Sequence, residues 1–137
     1  MRAATDAEGA ALATALDELG DRWTLQVVHA LLDGPRRFGE LQTRLGVAPN
    51  VLTQRLRSLE AAGIALAEPY QQRPARYAYR LTMRGRELAG VLRLLAAWAT
   101  GEHAPRHDVC GTELEVRWWC PTCDRPAGAP GEDLVHV

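Results

Sequence analysis

The spacing of apolar residues predicts a chain made mainly of α-helices. Apolar positions recur at helical intervals over residues 10–19 and again over about 23–32, where Asp21 can cap the helix. The second of these segments is apolar nearly all round, so we expect it at the centre of the core. A last helix, over roughly 83–100 with Thr82 as its cap, carries a broad apolar stripe: Leu88, Val91, Leu92, Leu95 and Trp98.

Two segments in between have the form helix, glycine turn, helix. A short helix is predicted over 38–45, and Gly46 ends it because glycine tolerates a positive φ. Pro49 then stands where a first helical turn accepts proline. At about 100° per residue, one face of the helix over 49–63 is apolar, with Leu52, Leu56 and Leu59. The opposite face carries amide, hydroxyl and guanidinium groups that suit DNA bases and phosphates: Asn50, Thr53, Gln54 and Arg57.

The spacing then changes to the near alternation of a β-hairpin. Strands are predicted at about 64–66 and 77–81, with residues 69–74, PYQQRP, as a polar loop between them. A two-stranded hairpin directly after a groove-reading helix is the wing of a winged helix-turn-helix domain. Arg73 and Arg76 would let the wing reach flanking DNA.

These elements predict a mainly α fold with a small β-hairpin wing. We divide the chain into a DNA-binding and dimerisation domain at 8–101 and a cysteine- and histidine-rich tail at 102–137. The N-terminal and C-terminal helices of the first domain carry more apolar surface than a winged domain can cover. We therefore expect a homodimer held by these helices.

Charge is distributed unevenly along the chain. The net charge is −1, but residues 35–86 hold ten arginines against three acidic residues, a local charge of +7, and there is no lysine. A basic centre between acidic flanks is typical of a protein that binds the DNA backbone on one surface. Double-stranded DNA is therefore the expected partner, although chance clustering in a lysine-free chain would give the same count.

Other classes of protein fit less well. No apolar run approaches the roughly 20 residues of a membrane span, and the N-terminal segment lacks the apolar centre of a secretory signal. We expect a cytoplasmic protein without a membrane partner. No set of residues suggests a nucleophile with its base, or paired catalytic acids, so we do not expect an enzyme.

The tail carries a candidate metal site. His107 and Cys110 are followed after nine residues by Cys120 and Cys123, two pairs that match the Cys₃His requirement of structural zinc. His103 and His136 are alternative fourth ligands. Three free thiols, or a redox pair of Cys120 and Cys123 near a reactive Cys110, remain alternative interpretations.

Several segments of the chain resemble those of a known protein family. The segments LGDRWTLQVVHALLDGPRRFGEL at 19–41, VLTQRLRSLEAAGI at 51–64 and YAYRLTMRGRELAGVL at 77–92 resemble HxlR-type winged helix-turn-helix transcriptional regulators, which are relatives of the MarR group. The resemblance implies a dimer held by first and last helices, with a recognition helix in the major groove and wings at the flanks. Its candidate DNA-binding residues here are Arg37, Asn50, Thr53, Gln54, Arg57, Arg73, Arg76 and Arg80.

Two details qualify the resemblance. Arg55 projects nearer the buried stripe, so we expect a backbone or intraprotein role for it rather than base contact. Many members carry a sensory cysteine in the first helix, whereas this chain has Ala10, Ala11 and Ala13 there and no cysteine before Cys110. We do not expect redox sensing by that route.

The leading hypothesis is a dimeric transcriptional regulator on an inverted-repeat operator. The alternative is a zinc-dependent protein-interaction module whose winged fold does not bind DNA. The sequence identifies neither the operator nor the sign of regulation. It also leaves open whether a small-molecule effector binds between the dimer helices.

Overall fold

The computed structural model describes residues 2–101, 106–114 and 117–127, with side chains from residue 5 onward. The chain forms two compact units, residues 1–92 and 93–137, and the boundary lies inside the last long helix. The elements are α1 (Arg2–Leu19), α2 (Thr24–Leu31), β1 (Arg36–Arg37), α3 (Phe38–Leu45), α4 (Pro49–Ala61), β2 (Ala65–Gln72), β3 (Ala75–Leu81), α5 (Met83–Arg86), α6 (Leu88–Thr100), β4 (Trp118–Cys120) and β5 (Arg125–Ala127).

The core of the first unit lies among α2, α3, α4 and the start of the hairpin. Its largest fully buried side chains come from the apolar faces that the sequence pattern predicts: Val27, Val28, Leu41, Leu52, Leu56 and Leu59. Asp21 starts α2 as expected, because its carboxylate accepts hydrogen bonds from the backbone N–H groups of Trp23 and Thr24. Thr24 is the buried polar residue of this core, and its hydroxyl also donates to Asp21.

The wing is longer than the sequence pattern indicates. β2 and β3 pair antiparallel from Ala65 with Leu81 to Gln72 with Ala75, so most of the predicted loop at 69–74 is strand. Apolar and polar side chains do not alternate along this part of the hairpin, because both of its faces are exposed. The backbone hydrogen bonds between the strands continue there without an apolar face. Pro69 is tolerated because β2 is an edge strand with an irregularity in register between Pro69 and Gln71.

A third short strand completes this sheet. β1 pairs with β3, Arg36 opposite Tyr79 and Arg37 opposite Ala78, giving the strand order β1-β3-β2. The sequence analysis missed β1 because two adjacent arginines show no strand periodicity. This strand leads directly into α3, so it ties the start of the helix-turn-helix to the wing.

The predicted helix at 83–100 is two helices, α5 and α6, with Glu87 between them. Thr82 caps α5 as expected by accepting a hydrogen bond from the N–H of Gly85 at 3.2 Å. Gly85 is buried, and an added Cβ would overlap the carbonyl oxygen of Ile64 and lie 3.1 Å from Cδ2 of Leu81. A side chain here would push α5 away from the base of the wing.

In the part of the chain that the structure describes, no helix has the length and apolar character needed to cross a membrane.

Candidate nucleic-acid interface

The turn between α3 and α4 sets the direction of the second helix. Gly46 ends α3 with φ 64°, and its N–H donates to the carbonyl of Gln42 at 2.9 Å. Ala48 is extended, and Pro49 occupies the first turn of α4, where its missing N–H costs no helical hydrogen bond. Three leucines of α4 are at most 1% exposed: Leu52, Leu56 and Leu59. The rotation of α4 about its axis is therefore fixed by the core.

That rotation leaves the predicted groove-reading residues on the outer face. Asn50, Gln54 and Arg57 are exposed, and Thr53 is half-buried. The Thr53 hydroxyl donates to the carbonyl of Pro49 at 2.9 Å, so its proton is engaged and its oxygen lone pairs remain as acceptors. The four side chains thus offer amide, acceptor and guanidinium groups on one surface of the helix.

The wing is fastened to the end of this helix. Gly63, with φ 68°, donates to Glu60, and Ile64 donates to Leu59, the pattern of a Schellman motif. The Glu60 carboxylate in turn accepts from the N–H of Ala67 in β2 at 3.2 Å. Thr82 closes the base of the hairpin through its N–H and hydroxyl, both of which donate to Ile64. The wing and α4 are therefore held as one structural piece.

The ten arginines of the basic segment fall into two sets. Five make ion pairs within the protein: Arg36, Arg44, Arg55, Arg80 and Arg84. Within the described residues the other five, Arg37, Arg57, Arg73, Arg76 and Arg86, make no ion pair at 4.0 Å or less. All five of these are exposed. The second set contains Arg57, the predicted arginine of α4, and two of the three predicted arginines of the wing, Arg73 and Arg76.

Arg80 differs from the other predicted contacts. Its Nε lies 2.8 Å from Oε2 of Glu68, on the neighbouring strand of the wing. Part of its charge is therefore neutralised inside the hairpin. This pairing was not predicted, because residues 68 and 80 become diagonal neighbours only in the observed register.

Arg37 connects the wing to the helix-turn-helix. Its N–H donates to the Glu40 carboxylate at 2.7 Å at the start of α3. Its guanidinium lies over the ring of Tyr70 in β2, 4.2 Å from the ring centroid. Tyr70 was not among the predicted functional residues, because the pattern placed it in a loop. The stacking holds the Arg37 side chain against the wing while leaving the residue exposed.

Arg55 has the intraprotein role expected from the helical wheel. Its Nε lies 3.2 Å from Oδ1 of Asp21, although it makes no hydrogen bond within the described residues. Partial burial acts to raise the pKa of Asp21, but hydrogen bonds from Thr24 and Trp23 and the charge of Arg55 outweigh it, so this pKa is lowered. The Asp21 carboxylate thus joins the start of α2 to the middle of α4.

A groove lies beside α1 in the first unit. It has a volume of about 630 Å³, within the range of small-molecule sites, and both apolar and charged side chains line it. Glu18 of α1 and Arg84 of α5 both line the groove and form an ion pair, with 3.4 Å between Oε2 and the guanidinium.

In the tail, the structure forms the two predicted ligand pairs separately. His107 Nδ1 lies 3.2 Å from Cys110 Sγ, and Cys120 is hydrogen-bonded to Cys123. Across the described residues, no three side chains of His, Cys, Asp or Glu form a group that could hold a metal ion. Hydrogen bonds from Thr112 and then His107 lower the pKa of Cys110 to about 7. The alternative ligands His103 and His136 lie outside the described residues.

A protein-family model covers most of the elements described above. Residues 18–107 match the model described as HxlR-like helix-turn-helix. The chain belongs to this family. The match includes α2, the helix-turn-helix, the wing, α5 and α6, which confirms the family that the sequence segments resemble.

Curated relatives of the chain are helix-turn-helix transcriptional regulators, not enzymes. Rv3095 of Mycobacterium tuberculosis is 36% identical over 125 residues, covering 85% of this chain and 78% of that protein. YodB of Bacillus subtilis is 34% identical over 101 residues, covering 73% of this chain and 90% of that protein. The protein is a transcriptional regulator of the helix-turn-helix type.

Solved structures agree with the fold. PA1607, described as a candidate transcription factor, superposes with a TM-score of 0.69 at 31% identity, covering 86% of this chain and 88% of that one. The reduced form of YodB from B. subtilis gives a TM-score of 0.57 at 33% identity, covering 63% of this chain and 85% of that one. The small antiparallel sheet among helices is thus the winged helix-turn-helix architecture.

Proposed function

We propose that this regulator binds an inverted-repeat operator as a homodimer. In each protomer, α4 lies in the major groove and the hairpin of β2 and β3 contacts flanking DNA. The observation that carries the proposal is the division of the arginines: those exposed on α4 and the outer wing pair with no carboxylate in the part of the chain that the structure describes. Such cations gain the most from phosphates and base edges, because binding DNA releases its condensed counterions.

Base reading is assigned to the exposed face of α4. Arg57 and Gln54 can each make paired hydrogen bonds to a base edge, Arg typically to guanine and Gln to adenine. Asn50 lies at the start of the same face, and Thr53 adds an acceptor. Arg37, Arg73 and Arg76 are assigned to phosphates, since they lie exposed on β1 and the wing, outside α4. Arg80 makes the smallest contribution in this scheme because Glu68 already pairs with it.

Two observations support the homodimer. On α1, Leu12 is 59% and Leu16 56% exposed, and on α6 the large side chain of Trp98 is 80% exposed. Val91, Leu94 and Leu95 are further exposed apolar residues of α6. Apolar surfaces of this kind on a soluble regulator are covered by a partner, and a second copy also supplies the twofold symmetry of an inverted repeat.

The alternative, a protein-interaction module that does not bind DNA, has less support. It gives no role to the arginines of α4 and the wing that lack an ion pair within the described residues. It also does not account for the similarity to helix-turn-helix transcriptional regulators. A binding experiment separates the two functions, because only the DNA-binding function produces salt-dependent affinity for duplexes.

The test compares two single substitutions on a selected operator and on random duplex. Arg57→Ala should cost roughly 1–3 kcal/mol on the operator and relax the base preference at one position. Arg76→Ala should weaken binding to both duplexes alike, because a phosphate contact carries no base information. Fluorescence anisotropy titrations at several salt concentrations measure both effects.

Arg84→Ala is the matched control, since its guanidinium already pairs with Glu18. It removes the same charge and should change DNA affinity less than either variant. Equal losses on operator and random duplex for Arg57→Ala would count against base reading by this residue.

A further inference from the structure

We infer that the tail binds one structural zinc ion through His107, Cys110, Cys120 and Cys123, and that the metal joins two small hairpins into one folded module. This inference concerns the second unit and does not depend on how the first unit binds DNA. It is carried by the geometry of each hairpin and by the absence of an apolar core in the described tail.

The first hairpin brings a histidine and a cysteine together. Arg106 forms a β-bridge with Glu113, and the N–H of His107 donates to the carbonyl of Thr112 at 2.7 Å. The chain turns back through Gly111, whose φ is 69° and whose N–H donates to the carbonyl of His107 at 2.7 Å. This turn places Nδ1 of His107 3.2 Å from Sγ of Cys110. Both atoms are donors that zinc accepts.

The second hairpin repeats the arrangement with two cysteines. Strands β4 and β5 pair, with Cys120 opposite Arg125, and residues 121–124 make the turn. Cys120 ends the first strand, and Cys123 lies in the turn. The backbone N–H groups of Thr122 and Cys123 are directed at the sulfur of Cys120. Likewise, the backbone N–H of Thr112 is directed at the sulfur of Cys110 in the first hairpin.

In each hairpin, backbone N–H groups are directed at the sulfur of one cysteine. An N–H donor stabilises negative charge on sulfur, and at a metal centre such outer hydrogen bonds orient the ligand. Each hairpin has a pair of donors separated by two intervening residues, with backbone amides facing a sulfur, and the two pairs together supply the ligands of a Cys₃His site. Closed by four protein ligands, the site would have a structural role.

The described tail lacks the apolar core that would otherwise hold two hairpins together. In residues 106–114 and 117–127 every side chain is exposed except that of Cys120, which is half-buried. Val109, Leu114, Trp118 and Trp119 are among the exposed residues. A segment this short needs a metal, disulfides or a partner to become stable. Three cysteines cannot all pair within one chain, whereas one zinc ion uses all of them.

The structure does not assemble the four ligands: among the described residues no three side chains of His, Cys, Asp or Glu form a group that could hold a metal ion. Zinc binding therefore requires the two hairpins to move together. Binding free energy at a structural zinc site is folding free energy, so the ion itself draws preformed halves together. Thiolate ligands favour zinc over magnesium or calcium, which prefer oxygen.

Native mass spectrometry of the full chain, purified with added zinc, tests the inference. We expect one zinc per chain, lost on treatment with a chelator. With cobalt in place of zinc, absorption bands from thiolate to metal and from a tetrahedral ion should appear. His107→Ala, Cys110→Ser, Cys120→Ser and Cys123→Ser should each reduce the bound metal to well below one ion per chain.

His103→Ala and His136→Ala are the matched controls and should keep the full zinc content. Loss of zinc in either control, with retention in His107→Ala, would overturn the assignment of the fourth ligand. A chain that binds no zinc, or whose mass shows a disulfide between Cys120 and Cys123 under reducing purification, would overturn the site itself.

Discussion

The winged unit and the tail position their functional groups in different ways. In the winged unit, buried leucines beneath α4 fix which side chains face outward, and the Schellman motif fixes the wing relative to that helix. In the described tail no apolar side chain is buried, and local turns alone bring the donor atoms together in pairs. The first region is organised by its core, whereas the second depends on a bound ion in our proposal. Perturbing the core and the metal separately should therefore affect different units.

The largest expected effect comes from removing part of the core. Leu56→Ala deletes a side chain that is 1% exposed beneath α4, and we expect a loss of about 2–5 kcal/mol in the free energy of unfolding. Chemical denaturation of the full chain, followed by circular dichroism, measures it. Leu114→Ala in the tail is the control, and it should change this free energy by less than about 0.5 kcal/mol. Similar losses for both variants would contradict the division into a core-organised and a coreless region.

A smaller loss in the free energy of unfolding is expected from a substitution where α5 packs closely against the base of the wing. Gly85→Ala places a methyl group against the carbonyl of Ile64, and we expect a loss of about 1–3 kcal/mol. Gly90→Ala is the matched control, because nothing lies within 4 Å of its added Cβ and alanine favours the helix by up to about 1 kcal/mol. Thermal unfolding of both variants measures these changes, and equal shifts in Tm would show that the close approach is unimportant.

The smallest expected effect is a pH-dependent change in stability at Asp21, whose carboxylate joins the start of α2 to α4. Because the pKa of Asp21 is lowered in the folded protein, the ionised carboxylate stabilises the fold above its ordinary value of 3.8. This contribution is lost as the pH falls through the lowered pKa. Asp21→Asn removes the negative charge that accepts these hydrogen bonds and faces Arg55, so it should cost roughly 0.5–2 kcal/mol at neutral pH and progressively less in acid.

Denaturation at pH 7 and at pH 3 measures this difference. Asp17→Asn, on α1, is the control and should change stability by less than about 0.5 kcal/mol at either pH. If the cost of Asp21→Asn is the same at both pH values, ionisation of this carboxylate does not hold α2 and α4 together.

The sequence predicts the helix-turn-helix well because several local signals agree. The bounds of α3 match residue for residue, since Gly46 ends the helix and the apolar spacing is regular. The three leucines placed on the inner face of α4 are buried, and Arg55 is paired within the protein as expected. Here local propensity, periodicity and tertiary packing favour the same structure.

Features created by pairing between distant segments could not be predicted in the same way. The outer wing extends into the predicted loop because backbone hydrogen bonds continue where alternation has stopped. The contact of Arg37 with Tyr70 and the pairing of Arg80 with Glu68 both depend on the register of the sheet. In the tail, spacing predicts the two donor pairs, and in our proposal their assembly into one site depends on an ion that is not part of the chain.

The most direct test of the central claim is a titration of the full chain against a duplex selected from a random library. Our account predicts an inverted repeat that binds two chains, with affinity falling as salt rises. The three arginines of each protomer assigned to phosphates, Arg37, Arg73 and Arg76, make six in the dimer. If all six replace counterions, log K should fall against log salt with a slope of about −5. Selection that yields no duplex, or binding that is independent of salt, would contradict DNA recognition by α4 and the wing.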